Sequence, residues 1–249
     1  MTLPDITQWL RPDWRPHPRV RAVVTTRLGR HSPPPWHGFN LGMNCGDEAD
    51  RVEQARRHVH KLLGTDHPPA WLRQIHGDRI VRAGEADVRA DGVWTNETGW
   101  PCVVLTADCL PVLLARADGT AVAAVHAGWR GLHAGILARA VVTLAPQGEP
   151  LSAWLGPAIS ERAYQVGEDV HRAFLDLGPE YGGAFRRDSQ PGHWRFSLAH
   201  AATLALNAAG VEEVSGGEHC TASDPDHFYS YRAEGQTGRF ASLVWLAPA

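Results

Sequence analysis

Short apolar runs of strand type alternate with segments of helical periodicity, and this alternation restricts the fold more than any other feature of the chain. Strands are predicted at residues 20–26, 70–76, 79–83, 102–107, 112–116, 121–127, 151–156 and 238–247. Helices are predicted from an Asp47 cap to Gly64, from Gly131 to just before Pro146, and near residues 167–177 and 197–210. This interleaving predicts an α/β (α+β) fold, in which a sheet is layered with helices, rather than an all-α or all-β architecture.

Turn signals between the strands make the predicted sheet mixed rather than purely parallel. The dipeptide Gly77–Asp78 separates two of these strands as a hairpin turn would, and the sequence ADGT at 117–120 joins two others. The chain of 249 residues has no repeat, no low-complexity tract and no convincing linker. It is therefore predicted to form one domain over residues 1–249.

Composition argues against several classes of protein. A formal net charge of −3 lacks the basic character of a nucleic-acid-binding protein, and no stretch approaches the run of about 20 apolar residues that a membrane helix needs. The N-terminus has proline and acid where a signal peptide carries an apolar core. Cys45, Cys102, Cys109 and Cys220 form no CxxC pair, which argues against a disulfide framework and a zinc ribbon. We expect a cytoplasmic protein with no nucleic-acid or membrane partner.

A polar pair interrupts an apolar strand in the segment VVLTADCLPVLL, residues 103–114. Pro111 lacks a backbone N–H and biases the preceding residue toward an extended conformation, so the sheet ladder is predicted to break there. Asp108 and Cys109 then lie at the break, where side chains can project from a rigid edge. Taken alone, the segment favours an inert core cysteine, because cysteine is among the residues most often buried.

Three segments share one pattern, an apolar strand followed by a glycine or proline break that carries a metal-binding side chain. These side chains are His76, Cys109 and His126. Two imidazoles and one thiolate suit Zn²⁺ and leave a fourth position open for water or substrate. Their separations are too wide for a local metal motif, so two core histidines and a core cysteine are the alternative interpretation.

The sequence HAGWRGL adds a candidate anion site. Gly128 and Gly131 would allow a tight turn into a helix whose N-terminal N–H groups can receive an anion. Arg130 beside that turn could donate a fork of hydrogen bonds to phosphate or carboxylate, and a surface arginine on a loop is the alternative. Arg27 is placed similarly, just after a strand.

Seven motifs follow one another between about Thr25 and Leu246: FNLG, WLRQIHGDRIV, ADGVWTN, VLTADCLPVLL, AAVHAGWRGL, AWLGPAI and FYSYRAEGQTGRFASLVWL. In this order they resemble the bacterial YfiH/YlmD family, which is also labelled the multicopper polyphenol oxidase or laccase-domain family. The resemblance implies a YfiH-like fold and a cytosolic purine nucleoside phosphorylase. Such enzymes act with phosphate on inosine, adenosine and S-methyl-5'-thioadenosine, and adenosine deaminase activity is also attributed to them.

The resemblance also implies roles for individual residues. The family's zinc ligands fall on His76, Cys109 and His126, and Asn40 and Arg27 match positions in its nucleoside pocket. The combined pattern predicts that Cys109 is a site residue rather than part of the core. For phosphorolysis, the arginines that could hold phosphate are Arg27, Arg130 and Arg239.

Functions of other classes remain open from the residues. A copper-dependent polyphenol oxidase of the laccase type is one, because copper also favours cysteine and histidine. True multicopper oxidases use several HxH motifs, whereas this chain has one, His58 and His60, in a predicted helix where the two side chains point to nearly opposite sides. A thiol hydrolase with Cys109 as nucleophile and His126 as base is another, and a non-enzymatic zinc-binding module is the last.

Overall fold

The computed structural model describes residues 3–248, and every structural statement below refers to that range. Its strands are β1 (Val20–Val24), β2 (Ile80–Arg82), β3 (Gly92–Thr95), β4 (Cys102–Thr106), β5 (Leu110–Arg116), β6 (Val122–Ala127), β7 (Leu151–Leu155), β8 (Gln165–Gly167), β9 (Phe185–Arg187), β10 (His193–Phe196), β11 (Glu213–Gly216) and β12 (Phe240–Leu246). Its α-helices are α1 (Ala49–Leu63), α2 (Trp129–His133), α3 (Ile136–Leu144), α4 (Glu168–Leu177), α5 (Leu198–Ala208) and α6 (Tyr231–Glu234). Short 3₁₀ helices span Ile6–Gln8 and Pro179–Ala184. None of the helices within residues 3–248 is both long enough and apolar enough to cross a membrane.

A six-stranded sheet in the order β11-β7-β5-β6-β3-β2 forms the centre of the molecule. Its four inner strands pair antiparallel, and the two outer strands, β11 and β2, each pair in parallel with their neighbour. A second sheet, β1-β12-β4, is antiparallel throughout, as is the small sheet β8-β10-β9. The predicted mixed sheet layered with helices is confirmed.

The core shows that the two larger sheets are stacked between helices. One face of β5 packs through Val112 and Leu114 into a cluster with α3 and α5, whereas Leu113 of the same strand packs against the second sheet. The far face of the second sheet contacts α1 through a third cluster that includes Val59 and Leu243. The layer order is therefore helices, six strands, three strands, helix. Because both faces of β5 are covered, its sequence is apolar at successive positions instead of alternating.

The break before Pro111 has a different cause from the predicted one. Pro111 lies inside β5, paired with His126 of β6, and its missing N–H is tolerated because the pairing of β5 with β7 begins only at the next residue, Val112. The ladder ends earlier because the chain leaves the three-stranded sheet after β4 and enters the six-stranded sheet at β5. Residues 107–109 make this crossing, with Asp108 in the left-handed region at φ 92°.

The strand predicted at residues 70–76 is wrong, and so is the hairpin turn at Gly77–Asp78. Only an isolated bridge between Ala70 and Cys102 forms there, and β2 pairs in parallel with β3 instead. The physical reason is that the side chain of Gln74, and not the backbone of residues 70–76, forms hydrogen bonds with β4. The Gln74 amide donates to the Leu105 carbonyl oxygen at 2.8 Å and accepts from the Leu105 N–H at 2.8 Å, which satisfies the edge of β4.

Two predicted helices differ in detail. The first begins after Glu48 rather than Asp47, and it ends at Gly64 in the left-handed conformation as expected. The segment after β6 forms two helices, α2 and α3, separated by Gly135 at φ 83°. Because α2 begins at Trp129, Gly131 lies inside this short helix and does not form the predicted turn in front of it.

Candidate active site

A cavity of about 690 Å³ opens where the chain crosses between the two large sheets. That volume lies in the range typical of small-molecule sites. Its wall includes the crossing residues 107–109 and His126 on β6, together with Arg56 on α1 and the C-terminal Arg232 and Arg239. The C-terminal end of β4 in one sheet and the N-terminal end of β5 in the other thus bring distant parts of the sequence to one place.

Backbone strain is concentrated at this cavity. His76 at φ 58° and Asp108 at φ 92° are the residues other than glycine, within 3–248, that have positive φ. Both line the cavity. The strained Asp108 is held because its carboxylate accepts from Thr221 Oγ1 and from the Arg232 backbone N–H, each at 2.6 Å. Strained backbone that its surroundings enforce is typical of functional sites.

His76, Cys109 and His126 come together at the cavity wall, with one potential ligand atom from each lying within 4.8 Å of the others. His76 is exposed, Cys109 is half-buried, and His126 is buried. Gly128 leaves room for them, since a Cβ there would lie 2.9 Å from Cys109 Sγ and 3.3 Å from His76 Nδ1. Two imidazoles and a thiol in this arrangement form a group that could hold a metal ion, and zinc and copper both accept such donors.

Asp91 orients both histidines, and the sequence analysis missed it. Its buried carboxylate accepts from His126 Nδ1 at 2.8 Å, which leaves the other ring nitrogen of His126 for the Cys109 side. The same carboxylate accepts from the backbone N–H groups of Ile75, His76 and Gly77 at 2.8–3.1 Å. Burial alone would raise the pKa of Asp91, but the hydrogen bonds from His126 and Gly77 lower it below its ordinary value.

Cys109 and His126 favour each other's charged form. Burial alone would raise the pKa of the Cys109 thiol, but His126 and His76 outweigh that effect and lower it. Burial alone would lower the pKa of His126, but Cys109 and Asp91 raise it. The cysteine is therefore held toward the thiolate, which is the form that binds metals and acts as a nucleophile.

Arginines dominate the charge of the cavity. Its lining contains five of them, Arg56, Arg73, Arg130, Arg232 and Arg239, and a single acidic residue, Asp108. Arg130 lies over the ring of Trp129, with its Cζ 4.4 Å from the ring centroid, and it is exposed to the cavity. Since the Asp108 carboxylate is already occupied by Thr221 and Arg232, the cavity offers a strongly positive environment to an anion.

Arg27 and Asn40 lie outside the cavity lining. Arg27 pairs with Glu234, donates to the carbonyl oxygens of Pro225 and Phe228, and stacks on Tyr229. These contacts fix the C-terminal segment, and they do not direct the guanidinium toward the cavity.

Asn40 is fully buried, and it forms hydrogen bonds with backbone groups of the residues that line the cavity. Its Oδ1 accepts from the backbone N–H groups of Gly42 and Arg239 at 2.9 Å, and its Nδ2 donates to Asp47. Gly42 and Arg239 both line the cavity. Asn40 therefore positions that part of the wall.

The single HxH motif contributes nothing to this site. His58 Nε2 bonds the Pro4 carbonyl oxygen at 2.7 Å, and His60 Nε2 bonds the Thr65 carbonyl oxygen at 3.0 Å. Both histidines hold neighbouring segments against α1. Within residues 3–248, the cluster of His76, Cys109 and His126 is the one group of three such side chains that could hold a metal.

Four aromatic side chains of the cavity wall were also not predicted from the sequence. They are Trp71, Trp129, Tyr164 and Tyr231. Burial and the nearby Cys109 raise the pKa of Tyr164, so its hydroxyl stays protonated at neutral pH. Trp71 and Trp129 belong to motifs named above, but nothing in the sequence distinguishes a tryptophan in a cavity wall from one in the core.

Comparison with known proteins supplies relatives over nearly the whole chain. The family model described as multi-copper polyphenol oxidoreductase laccase matches residues 21–247. A Pseudomonas aeruginosa protein named purine nucleoside phosphorylase is 46% identical over 239 residues, covering 96% of this chain and 98% of that protein. The Escherichia coli protein named purine nucleoside phosphorylase YfiH is 42% identical, covering 94% of this chain and 97% of that protein.

Solved structures agree with this likeness. A Neisseria meningitidis protein superposes with a TM-score of 0.92 at 41% identity, covering 97% of this chain and 100% of the other. YlmD from Geobacillus stearothermophilus superposes with a TM-score of 0.89 at 28% identity, covering 98% of this chain and 100% of the other.

Proposed function

This chain belongs to the laccase-domain family described as multi-copper polyphenol oxidoreductase laccase, and we propose that within it the protein is a purine nucleoside phosphorylase. Its substrates would be inosine, adenosine and S-methyl-5'-thioadenosine together with phosphate, and its products the free base and ribose 1-phosphate or the 5-methylthio sugar phosphate. Adenosine deamination at the same site belongs to the proposal as a second activity. Residues 1–249 would act as one catalytic domain.

The observation that carries the proposal is the charge of the cavity beside the His76–Cys109–His126 cluster. Five arginines against one occupied carboxylate favour a reaction with an anionic co-substrate. The aromatic wall suits a flat purine ring. Relatives named purine nucleoside phosphorylase at 42–46% identity support the same conclusion.

In phosphorolysis, a phosphate oxygen attacks C1' of the ribose while the bond from C1' to the purine nitrogen breaks. The electron pair of that bond leaves with the purine, which must take up a proton. Arg130 would hold and orient the phosphate with its exposed guanidinium. The Tyr164 hydroxyl stays protonated, so it can donate a hydrogen bond to the bound substrate.

Zinc is the metal that we propose for His76, Cys109 and His126, and copper is the alternative. When bound, such an ion supplies a Lewis acid that stabilises negative charge on an oxygen. Asp91 contributes by fixing the ring of His126 and the backbone at His76.

A thiol hydrolase is the second candidate, and one observation favours it. Cys109, His126 and Asp91 follow one another as nucleophile, base and orienting carboxylate, which is the logic of a catalytic triad. Asp108, the acid next to Cys109 in the sequence, has its oxygens occupied by Thr221 and Arg232. Asp91 would take the orienting role instead.

Product analysis with inosine and adenosine, with and without phosphate, tests the proposal. Hypoxanthine and ribose 1-phosphate should form from inosine only when phosphate is present. Inosine and ammonia formed from adenosine without phosphate would reveal deamination. Oxygen uptake with a phenol and added copper, in the absence of phosphorolysis, would instead favour the oxidase.

Replacing Arg130 by alanine is expected to weaken the use of phosphate more than the binding of nucleoside. Loss of a charge-assisted hydrogen bond costs about 1.5–3 kcal/mol, which corresponds to roughly 10–150-fold in kcat/KM for phosphate. Initial rates over a range of phosphate concentrations provide the measurement. Arg139→Ala is the control, because Arg139 is exposed on α3 and pairs with Asp78. An unchanged phosphate dependence in Arg130→Ala would remove Arg130 from this role.

A further inference from the structure

Four of the five cavity arginines fall into two groups by their neighbours. Arg232 lies over the ring of Tyr164, with its Cζ 5.1 Å from the ring centroid, and its backbone N–H donates to Asp108, the neighbour of Cys109. Arg130 comes two residues after Gly128, which closely approaches Cys109 and His76. They therefore belong with the His76–Cys109–His126 cluster. Arg56 lies instead on α1, where it contacts Trp71 and Leu41. One phosphate beside the cluster leaves this second group without a role.

Arg56 and Arg239 are anchored on the same residue. The Arg56 Nε donates to the Leu41 carbonyl oxygen at 3.0 Å, and the Leu41 N–H donates to the Arg239 carbonyl oxygen at 3.0 Å. Gly42 then passes closely over the Arg239 stem, since a Cβ at that glycine would lie 2.8 Å from Arg239 Cγ and 3.3 Å from Cys45 Sγ. The segment after Asn40 thus brings the two arginines to one part of the wall.

Each guanidinium is oriented and still has donors to spare. Arg56 stacks on Trp71 with its Cζ 4.3 Å from the ring centroid, and within residues 3–248 its hydrogen bonding is limited to Nε. Arg239 uses Nη1 to donate to the carbonyl oxygens of Thr237 and Gly238 at 3.0 and 2.8 Å. Neither forms an ion pair with a carboxylate of the described chain. Their remaining N–H groups provide donors of the kind that a phosphoryl group accepts.

Within residues 3–248, the acids near this second group have other partners. Glu53, one turn before Arg56 on α1, pairs with Arg57. Asp47, which follows the Gly42–Cys45 segment, accepts from Ser32 and Asn40. Glu234, which is close in the sequence to Arg239, pairs with Arg27. Burial lowers the pKa of Arg56 to about 10, which still leaves it charged near pH 7. A half-buried pair of cations without a counter-charge favours an anion from outside the chain.

We propose that Arg56 and Arg239, with the Gly42–Cys45 segment between them, form a second anion subsite in the cavity, which takes a phosphoryl group. Two sources have this chemistry. One is the 5'-phosphate of a purine nucleotide whose base and ribose occupy the nucleoside position, and the other is a second inorganic phosphate ion. The nucleotide source depends on the proposed nucleoside pocket, whereas the anion subsite itself does not.

Calorimetric titration of the full-length protein tests the subsite with three probes: inosine, inosine 5'-monophosphate and inorganic phosphate. The variants are Arg56→Gln and Arg239→Gln. Arg57→Gln is the matched control, because Arg57 follows Arg56 on the same helix and pairs with Glu53 on the exposed face. Thermal melting shows whether each variant is folded, and Arg239→Gln carries the test alone if Arg56→Gln does not fold.

For the nucleotide source, the unmodified protein should bind inosine 5'-monophosphate at least about tenfold more tightly than inosine. Arg56→Gln and Arg239→Gln should remove that preference and leave the affinity for inosine within about twofold. For the free-ion source, the two variants should weaken phosphate binding by at least about tenfold while the nucleotide shows no preference. Arg57→Gln should change neither result.

The subsite is overturned if inosine 5'-monophosphate binds no better than inosine and both variants bind phosphate as the unmodified protein does. This outcome is separate from the fate of the proposed function, because the titrations measure binding and not turnover. A protein that passes them without cleaving inosine would contradict phosphorolysis alone. A protein that cleaves inosine but fails them would lose the second subsite alone.

Discussion

Cys109→Ala is expected to lose bound metal and phosphorolysis together. In the arrangement of His76, Cys109 and His126, the thiolate is one of three donors, and the two histidines left behind form a weak site. We expect one zinc per unmodified chain, with bonds of roughly 2.0–2.1 Å to nitrogen and 2.3 Å to sulfur. We expect less than a tenth of that metal, and about a tenth or less of the turnover, in the variant. Elemental analysis of the purified protein and the inosine assay provide the two measurements.

Cys102→Ala is the matched control for this experiment. Cys102 is fully buried on β4, and burial raises the pKa of its thiol, which makes it an inert core cysteine. Its truncation should cost about 1–2 kcal/mol of unfolding free energy and leave metal content and turnover unchanged. The comparison separates loss of a ligand from loss of packing, since each variant makes the same change, from cysteine to alanine.

The pattern of losses in Cys109→Ala distinguishes the three roles of this residue. Turnover that vanishes while metal remains on the histidines would support Cys109 as a nucleophile, as the thiol hydrolase requires. A folded variant with near-normal metal content and near-normal turnover would return Cys109 to the core. Only a joint loss fits the metal-ligand role.

The elements that local sequence determines were predicted well. The strands β4, β5 and β6 could be predicted because each is a short apolar run in the sequence. The end of α1 could be predicted because Gly64 tolerates the left-handed conformation that ends the helix. The error at residues 70–76 has a tertiary cause. Those residues look like a strand, but the Gln74 side chain pairs with β4 and the backbone does not.

The site was predictable only as far as single residues reveal their chemistry. His76, Cys109 and His126 could be chosen because each is a metal-binding side chain at a break in the pattern. Asp91 could not, because its role depends on the antiparallel pairing of β3 with β6. Arg56 and Arg239 are far apart in the sequence, and they meet through the contacts of Leu41. A single sequence shows neither the pairing of β3 with β6 nor the approach of Arg56 to Arg239.

Asp91→Asn is expected to weaken metal binding and to lower stability, although Asp91 is not one of the three candidate ligands. The carboxylate accepts four hydrogen bonds, from His126 Nδ1 and from the N–H groups of Ile75, His76 and Gly77. An asparagine amide replaces one accepting oxygen by a donor, which would face N–H groups in a buried place. Each donor left without an acceptor costs about 1–3 kcal/mol of unfolding free energy. Loss of an orienting partner of a ligating histidine lowers metal affinity by roughly 10–100-fold.

Competition with a chelator measures the metal affinity of Asp91→Asn, and chemical denaturation measures its stability. Asp118→Asn is the control, because Asp118 also accepts from a backbone N–H, that of Thr120, but in an exposed turn away from the cavity. A purely structural role for Asp91 would lower stability and leave the metal affinity of the folded protein intact. A positioning role predicts both losses, and the loss of affinity should persist at temperatures well below the unfolding transition. Retention of full affinity in the folded variant would show that the His126 ring and the His76 backbone hold their places without Asp91.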